Sequence, residues 1–342
     1  MSKDDSAVLK GIAILMMLFL HLFADPGFAS DCTPLLWVGN VPFVSILARA
    51  CNPVAFFLVC SGYGLAYVYH RGRLDIRSQS KRILRLYMNY WLILVIFVFI
   101  GSFVKPDRYP GSIVTVIENF TGWNTDGYDG PAWFLLPYAL LSLSSPWIFK
   151  TMDKFGIVKS LVISFILTFV AMVVISRYIA PHNAHHAWFA IIFTYFDLLF
   201  SFVLGACINY KFEKGSIIIP KLKGNQWLMQ LLLVAWFAIH LLTGSAAINP
   251  FFVVAFMVIF INLEIKGFVR RALLELGRKS MVMWFAHAFF YGYLFHDFIY
   301  GFKYPLLIYV VLVLVSYLTA VVIQQLSRHT IDRLPIFRRK NA

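Results

Sequence analysis

Long apolar runs recur along the whole chain, and no other property narrows the fold as much. A helix needs about 20 apolar residues to cross the hydrocarbon of a bilayer. Runs of that kind fall near residues 8–24, 43–69, 83–103, 131–149, 157–179, 187–209, 226–243, 248–264, 280–300 and 304–326. The pattern predicts an all-α integral membrane protein of about ten transmembrane helices. It forms a single membrane domain over residues 1–342, with spans from about 8 to 326 and a short basic tail at 327–342. Composition agrees, since 60% of the 342 residues are hydrophobic and 13% charged, against about 25% charged in a soluble domain. The apolar run after Lys10 lacks a clear small-residue cleavage site, so the first span is expected to be retained.

A net charge of +14 would point to nucleic acid on a soluble chain, but here the basic residues read as topology. An even number of spans puts both termini on one side. With that side cytoplasmic, the inner segments hold Lys3 and Lys10, the group from Arg71 to Arg85, and Lys150, Lys154 and Lys159. They also hold Lys211, Lys214, Lys221 and Lys223, the group from Lys266 to Lys279, and the tail from Arg328 to Lys340. Of the 30 basic residues only Arg49, Lys105, Arg108, Arg177 and Lys303 are left outside, as the positive-inside rule requires. The expectation is a multi-pass protein of the cell inner (cytoplasmic) membrane with no nucleic-acid partner, its basic flanks touching membrane lipid.

Four cysteines, Cys32, Cys51, Cys60 and Cys207, show no CxxC spacing and imply no zinc or redox pair. Cys32 and Cys51 both fall near the outer face, which leaves a disulfide open beside the plainer reading of unpaired thiols. The longest outer loop, about 104–130, mixes Asp107, Glu118, Trp123, Asn124, Asp126, Tyr128 and Asp129. Such a mixture suits a carbohydrate or other polyhydroxyl acceptor, and equally an ordinary solvated loop. The outer patch His182-Asn183-Ala184-His185-His186 has no acidic residue beside it, so no metal site is expected.

Chemistry concentrates in the first span. Lys10 and His21 are eleven residues apart, which on a helix is about 1100°, three turns plus roughly 20°, with a rise of about 16 Å. The two therefore share a face. Ionisable groups within hydrocarbon normally face a protein interior or a wet cavity, and a neutral imidazole is a competent general base. Taken singly, Lys10 reads equally as a snorkelling anchor and His21 as a packing histidine. Arg82 and Arg85, three apart at the start of the third span, are placed to bind one polyanion through forked guanidiniums. Basic residues at that place also satisfy topology alone. Ser61, Gly62 and Gly64 make a small-residue notch that allows close helix approach or admits a thin substrate arm. Ser61 lacks the GxSxG surroundings of a nucleophile. Trp133 opens the fourth span where an interfacial anchor is ordinary, and His287 is a second intramembrane histidine, in the ninth span. Asp25 follows His21 by four residues, but Pro26 is expected to end the helix before it can orient the ring.

Five features occur in order: Lys10-x10-His21, the run from Phe56 to Tyr63, Arg82-x-x-Arg85, Trp133-Phe134-Leu135, and Leu276-Gly277-x-x-Ser280 through His287. Together, over residues 6 to 326, they resemble the bacterial acyltransferase family 3, ten-span membrane enzymes that O-acetylate surface polysaccharides. The resemblance implies transfer of an acyl group, usually acetyl from cytoplasmic acetyl-CoA, to a sugar hydroxyl of a surface, exported or lipid-linked glycan. It implies that His21 is catalytic, that Lys10 stands where the family has Arg, and that Arg82 and Arg85 contact coenzyme A. Lys10 keeps the charge without the planar fork. Ser61, Trp133 and His287 remain candidates for substrate binding. No metal is expected, and the chain is expected to act as a stand-alone module, as a homo-oligomer or beside glycan-assembly partners. The contrasting readings are a non-enzymatic carrier or flippase for a lipid-linked sugar, and a transferase of another acyl group such as succinyl.

Overall fold

The computed structural model describes residues 1–211, 225–243 and 248–337. Lys214, Lys221 and Lys223, and Arg338, Arg339 and Lys340 of the tail, lie outside the described residues. Among the described residues the regular structure is helical apart from a two-residue antiparallel pairing of Trp37–Val38 with Val41–Pro42. In chain order the helices are α1 (Lys3–Phe23), α2 (Phe43–Arg49), α3 (Pro53–His70), α4 (Ile76–Val104), α5 (Ile113–Thr121), α6 (Leu135–Phe155) and α7 (Ile157–Val174). There follow α8 (Trp188–Lys211), α9 (Gln226–Thr243), α10 (Asn249–Asn262), α11 (Gly267–Ala288), α12 (His296–Tyr300) and α13 (Pro305–His329).

Among the described residues, eight helical stretches are long and apolar enough to cross a membrane. Two of the ten apolar runs of the sequence differ in form. The run near 248–264 is a helix of 14 residues, α10, about 21 Å long and shorter than a hydrocarbon core of about 30 Å. The run near 280–300 is not one helix: it takes in the apolar half of α11, a π-helical stretch at Phe289–Tyr293 and the short α12, while α11 itself starts at Gly267 and carries Arg270, Arg271, Glu275, Arg278 and Lys279 before its apolar part begins.

Local sequence sets the ends. Ser2 caps α1 reciprocally with Asp5, and Asp75 caps α4 with Ser78, each pair satisfying amides that a helix start leaves unpaired. The α4 cap, Asp75, lies eight residues before the apolar run at 83, so that helix begins in polar sequence. After α1, Asp25 turns to cap the short 3-10 turn at Pro26–Ser30, its carboxylate accepting from the Gly27 amide at 2.9 Å. It does not orient His21. Asn52-Pro53 breaks the second apolar run into α2 and α3, since a residue before proline avoids helical geometry.

Glycines decide how closely the central helices approach. A Cβ on Gly11 would run into the Leu273 carbonyl, and one on Gly277 into the Ala7 carbonyl, so α1 and α11 pack backbone to backbone. In the same way Gly62 of α3 meets the Phe202 carbonyl and Gly205 of α8 the Val59 carbonyl. Gly64 has open space around it, so the notch in the second run comes down to Gly62. Salt bridges from Asp5 to Arg270 (3.4 Å) and Asp4 to Arg278 (3.7 Å) add a half-exposed tie at the same end of the α1–α11 pair. All four cysteines are free.

The loop after α4 is folded onto the helix ends. Buried Asn119 of α5 accepts from the Tyr128 amide at 2.9 Å and donates to the Thr115 carbonyl at 2.8 Å. Its own carbonyl accepts from the Tyr90 hydroxyl at 3.1 Å. Arg108 lies over the Tyr293 ring at 4.5 Å and donates to the Gly127 carbonyl at 3.1 Å.

Candidate functional site

Lys10 of α1, Ser61 of α3, and Arg82 and Arg85 of α4 line one cavity of about 290 Å³, together with Asn89, Phe134, Tyr138 and Trp284. Four residues named from the sequence for donor and substrate binding therefore meet in one place. The cavity wall is otherwise largely apolar, so a cation facing it is less screened than one in bulk water. Lys10 forms no hydrogen bond or ion pair with any described residue, which leaves its ammonium available to a ligand.

Tyr138 is the polar centre that sequence reasoning missed. Its hydroxyl accepts from the Arg82 guanidinium at 2.8 Å and lies 3.0 Å from the Ser61 hydroxyl. This chain fixes the direction of Arg82. A tyrosine within an apolar run carries no spacing signal that would have marked it. Arg85 is held differently, paired with Asp332 at 3.1 Å and lying over the Phe337 ring at 4.9 Å. A phosphate reaching Arg85 competes with the Asp332 carboxylate.

His21 stands farther along α1 from this cavity. Its ring centroid is 5.1 Å from that of His287 and 6.0 Å from that of Tyr291, while His287 and Tyr291 are 5.5 Å apart. The His287 Nδ1 is 2.6 Å from the Trp284 carbonyl oxygen. A carbonyl can only accept, so Nδ1 carries the proton, and in the neutral ring Nε2 presents a lone pair. That Nε2 is buried without a hydrogen-bond partner. The Trp284 indole in turn donates to the Pro131 carbonyl at 2.9 Å and lines the basic cavity. One residue thus connects the wall of the basic cavity to the orientation of His287.

The three candidates for substrate binding separate. Ser61 belongs to the basic cavity and His287 to the histidine pair. Trp133, 44% exposed, lines a cavity of about 440 Å³ under the folded loop, with Trp123, Asn124, Asp126, His186 and Asp197. Near it Asp129 is fully buried, and neither carboxylate oxygen has a partner. Burial pushes its carboxyl well above the usual carboxylate range. In the sequence Asp129 was one acidic loop residue among several, and nothing in its neighbours distinguishes it.

The acyltransferase-domain family model matches residues 5–324, nearly the whole chain. No curated protein and no solved structure shows a significant match. The chain belongs to acyltransferase family 3.

Proposed function

We propose that this family member is an O-acyltransferase of the inner membrane. In this reading it moves an acyl group, acetyl in the first instance, from cytoplasmic acyl-CoA to a sugar hydroxyl of a surface or exported glycan, with His21 as general base. The observation that carries the reading is the convergence of Lys10, Arg82 and Arg85 on one cavity, with Lys10 on the same face of α1 as His21 and about 16 Å along the helix from it. The basic end is taken as cytoplasmic, with both termini there, because positive charge is retained on that side.

A volume of about 290 Å³ lies at the low end of ligand pockets, which run from about 300 to 1,000 Å³. It suits the thin pantetheine arm, with the nucleotide left at the mouth. Arg82, steadied by Tyr138, offers a fork to a phosphate, and Lys10 supplies a point charge where a bidentate contact is not needed. The acceptor hydroxyl oxygen attacks the thioester carbonyl as its proton passes to the His21 imidazole. The tetrahedral adduct then collapses, the C–S bond breaks, and the imidazolium returns the proton to the leaving thiolate. His287, whose buried Nε2 carries a lone pair, is assigned to substrate binding, accepting from a second hydroxyl of the acceptor sugar.

The test is the acyl content of the host's surface glycan, read by NMR in a deletion strain. The strain is complemented with wild type, His21→Ala, or Arg82→Ala/Arg85→Ala, with membrane expression checked in each. Acetyl signals are expected to vanish on deletion, return with wild type and fail to return with His21→Ala. Glycan that keeps its acetyl groups but falls in amount on deletion would instead identify a carrier.

A further inference from the structure

The second cavity is built from parts that lie far apart in sequence. The loop after α5 supplies Trp123, Asn124 and Asp126, the turn before α6 supplies Trp133, the α7–α8 connection supplies His185 and His186, and α8 supplies Thr194 and Asp197. The parts are tied together, since the Trp123 indole donates to the His186 carbonyl at 3.1 Å and the His186 Nε2 lies 3.5 Å from the Asp126 carboxylate. A neighbouring cavity of about 240 Å³ shares Trp133 and Asp197 with this one and continues between α3, α7 and α8. Those two side chains therefore stand where the two cavities meet.

Asp197 is an acidic residue well inside an apolar helix. Its carboxylate forms no hydrogen bond or ion pair with any described residue, a placement that marks ligand contact in a membrane helix rather than packing. A carboxylate accepts two hydroxyl hydrogens at once, and an indole beside it offers an apolar face to a pyranose ring. Among the described residues no Lys or Arg lines either cavity, whereas Asp197 lines both and Asp126 the larger one. An anionic ligand would meet two carboxylates with no fixed cation to offset them. Across the start of α6, Trp133 and Pro137 face this cavity while Phe134 and Tyr138 face the basic one, so a single helix wall separates the two.

We propose that this cavity binds an uncharged, hydroxyl-rich ligand, a neutral hexopyranoside unit, through the Asp197 carboxylate and the Trp133 ring. Its identification as the acceptor site rests on the acyltransferase reading above; the binding itself does not.

The full-length protein in lipid nanodiscs is tested by saturation-transfer-difference NMR. The probes are methyl α-D-glucopyranoside, methyl β-D-galactopyranoside and methyl N-acetyl-β-D-glucosaminide, with methyl β-D-glucuronide as the charged comparison. At least one neutral glycoside is expected to give a signal and the glucuronide none. Asp197→Asn, which keeps the shape, and Trp133→Ala should each cut that signal at least fivefold, with Trp133→Phe restoring most of it. Absence of signal from every neutral glycoside, an equal signal from the glucuronide, or an unchanged signal in both variants overturns the proposal. Transfer of labelled acetyl from acetyl-CoA to the same glycosides separates the two readings. Binding without transfer leaves this site standing and removes its role as acceptor site. Transfer with an acceptor KM unchanged in Asp197→Asn removes this site and leaves the enzyme.

Discussion

His21 of α1 and His287 of α11 hold their rings 5.1 Å apart at the centroids, and only one of them has its proton position fixed by the protein. The Trp284 carbonyl settles His287, whereas His21 has no hydrogen-bond partner among the described residues. A base that must gain and lose a proton in each cycle benefits from that freedom. His21→Ala is expected to lower kcat for acyl transfer by about 10² to 10⁴-fold, with KM for acyl-CoA unchanged. His287→Ala should lose less. A larger loss at His287 than at His21 in the same reconstituted assay would reassign the base.

Tyr138 holds Arg82 through one hydrogen bond to a charged group. Tyr138→Phe removes that bond without opening a cavity, and such a bond is worth about 1.5 to 3 kcal/mol, part of which water can replace. The expected outcome is an acyl-CoA KM raised about three- to tenfold with kcat little changed, measured by initial rates at saturating acceptor. A fall in kcat at constant KM would mean that Tyr138 acts at the reacting atoms.

Gly62 and Gly64 are two residues apart and behave oppositely. A methyl on Gly62 meets the Phe202 carbonyl, and one on Gly64 meets nothing within 4 Å. Gly62→Ala is expected to destabilise by about 1 to 3 kcal/mol, the range for overpacking, and to lower the melting temperature in detergent. Gly64→Ala should leave it unchanged or slightly raised, since alanine is the better helix former. Equal melting temperatures for the two variants would show that α3 and α8 are not in contact there.

Asp129 ties stability to pH. Burial holds its folded-state pKa well above the ordinary carboxylate value. Above that ordinary value the folded protein therefore binds more protons than the unfolded chain, and stability falls as pH rises towards the folded pKa. Asp129→Asn removes the titration. The melting temperature of the variant relative to wild type is expected to climb steadily from about pH 4 upward, following that linkage. Parallel curves would show that the carboxylate is already ionised in the fold.

What was legible in the sequence was whatever local spacing determines. Lys10 and His21 share a face by helix geometry alone, and Arg82 and Arg85 were placed beside each other by their spacing. The structure adds that Lys10 opens onto the same cavity as the two arginines. Features that depend on which helix meets which could not be read. The approach of His287 to His21, the Tyr138 link between Ser61 and Arg82, and the place of Asp197 between two cavities all join segments far apart in the chain. Helix starts were hidden for another reason. Apolar runs mark what hydrocarbon would cover, while α4 and α11 extend through polar and charged sequence before the run begins.

The backbone-close seam of α1 with α11, at Gly11 and Gly277, has a consequence for biosynthesis. His21 leaves the ribosome early, and its partner His287 follows about 266 residues later, an interval of some tens of seconds at roughly 5 to 20 residues per second. Through that interval the polar face of the first helix is in the membrane without the surface that covers it. The two histidines can meet only when translation is nearly finished, so a chain that stops before α11 has no histidine pair, however well its earlier helices insert.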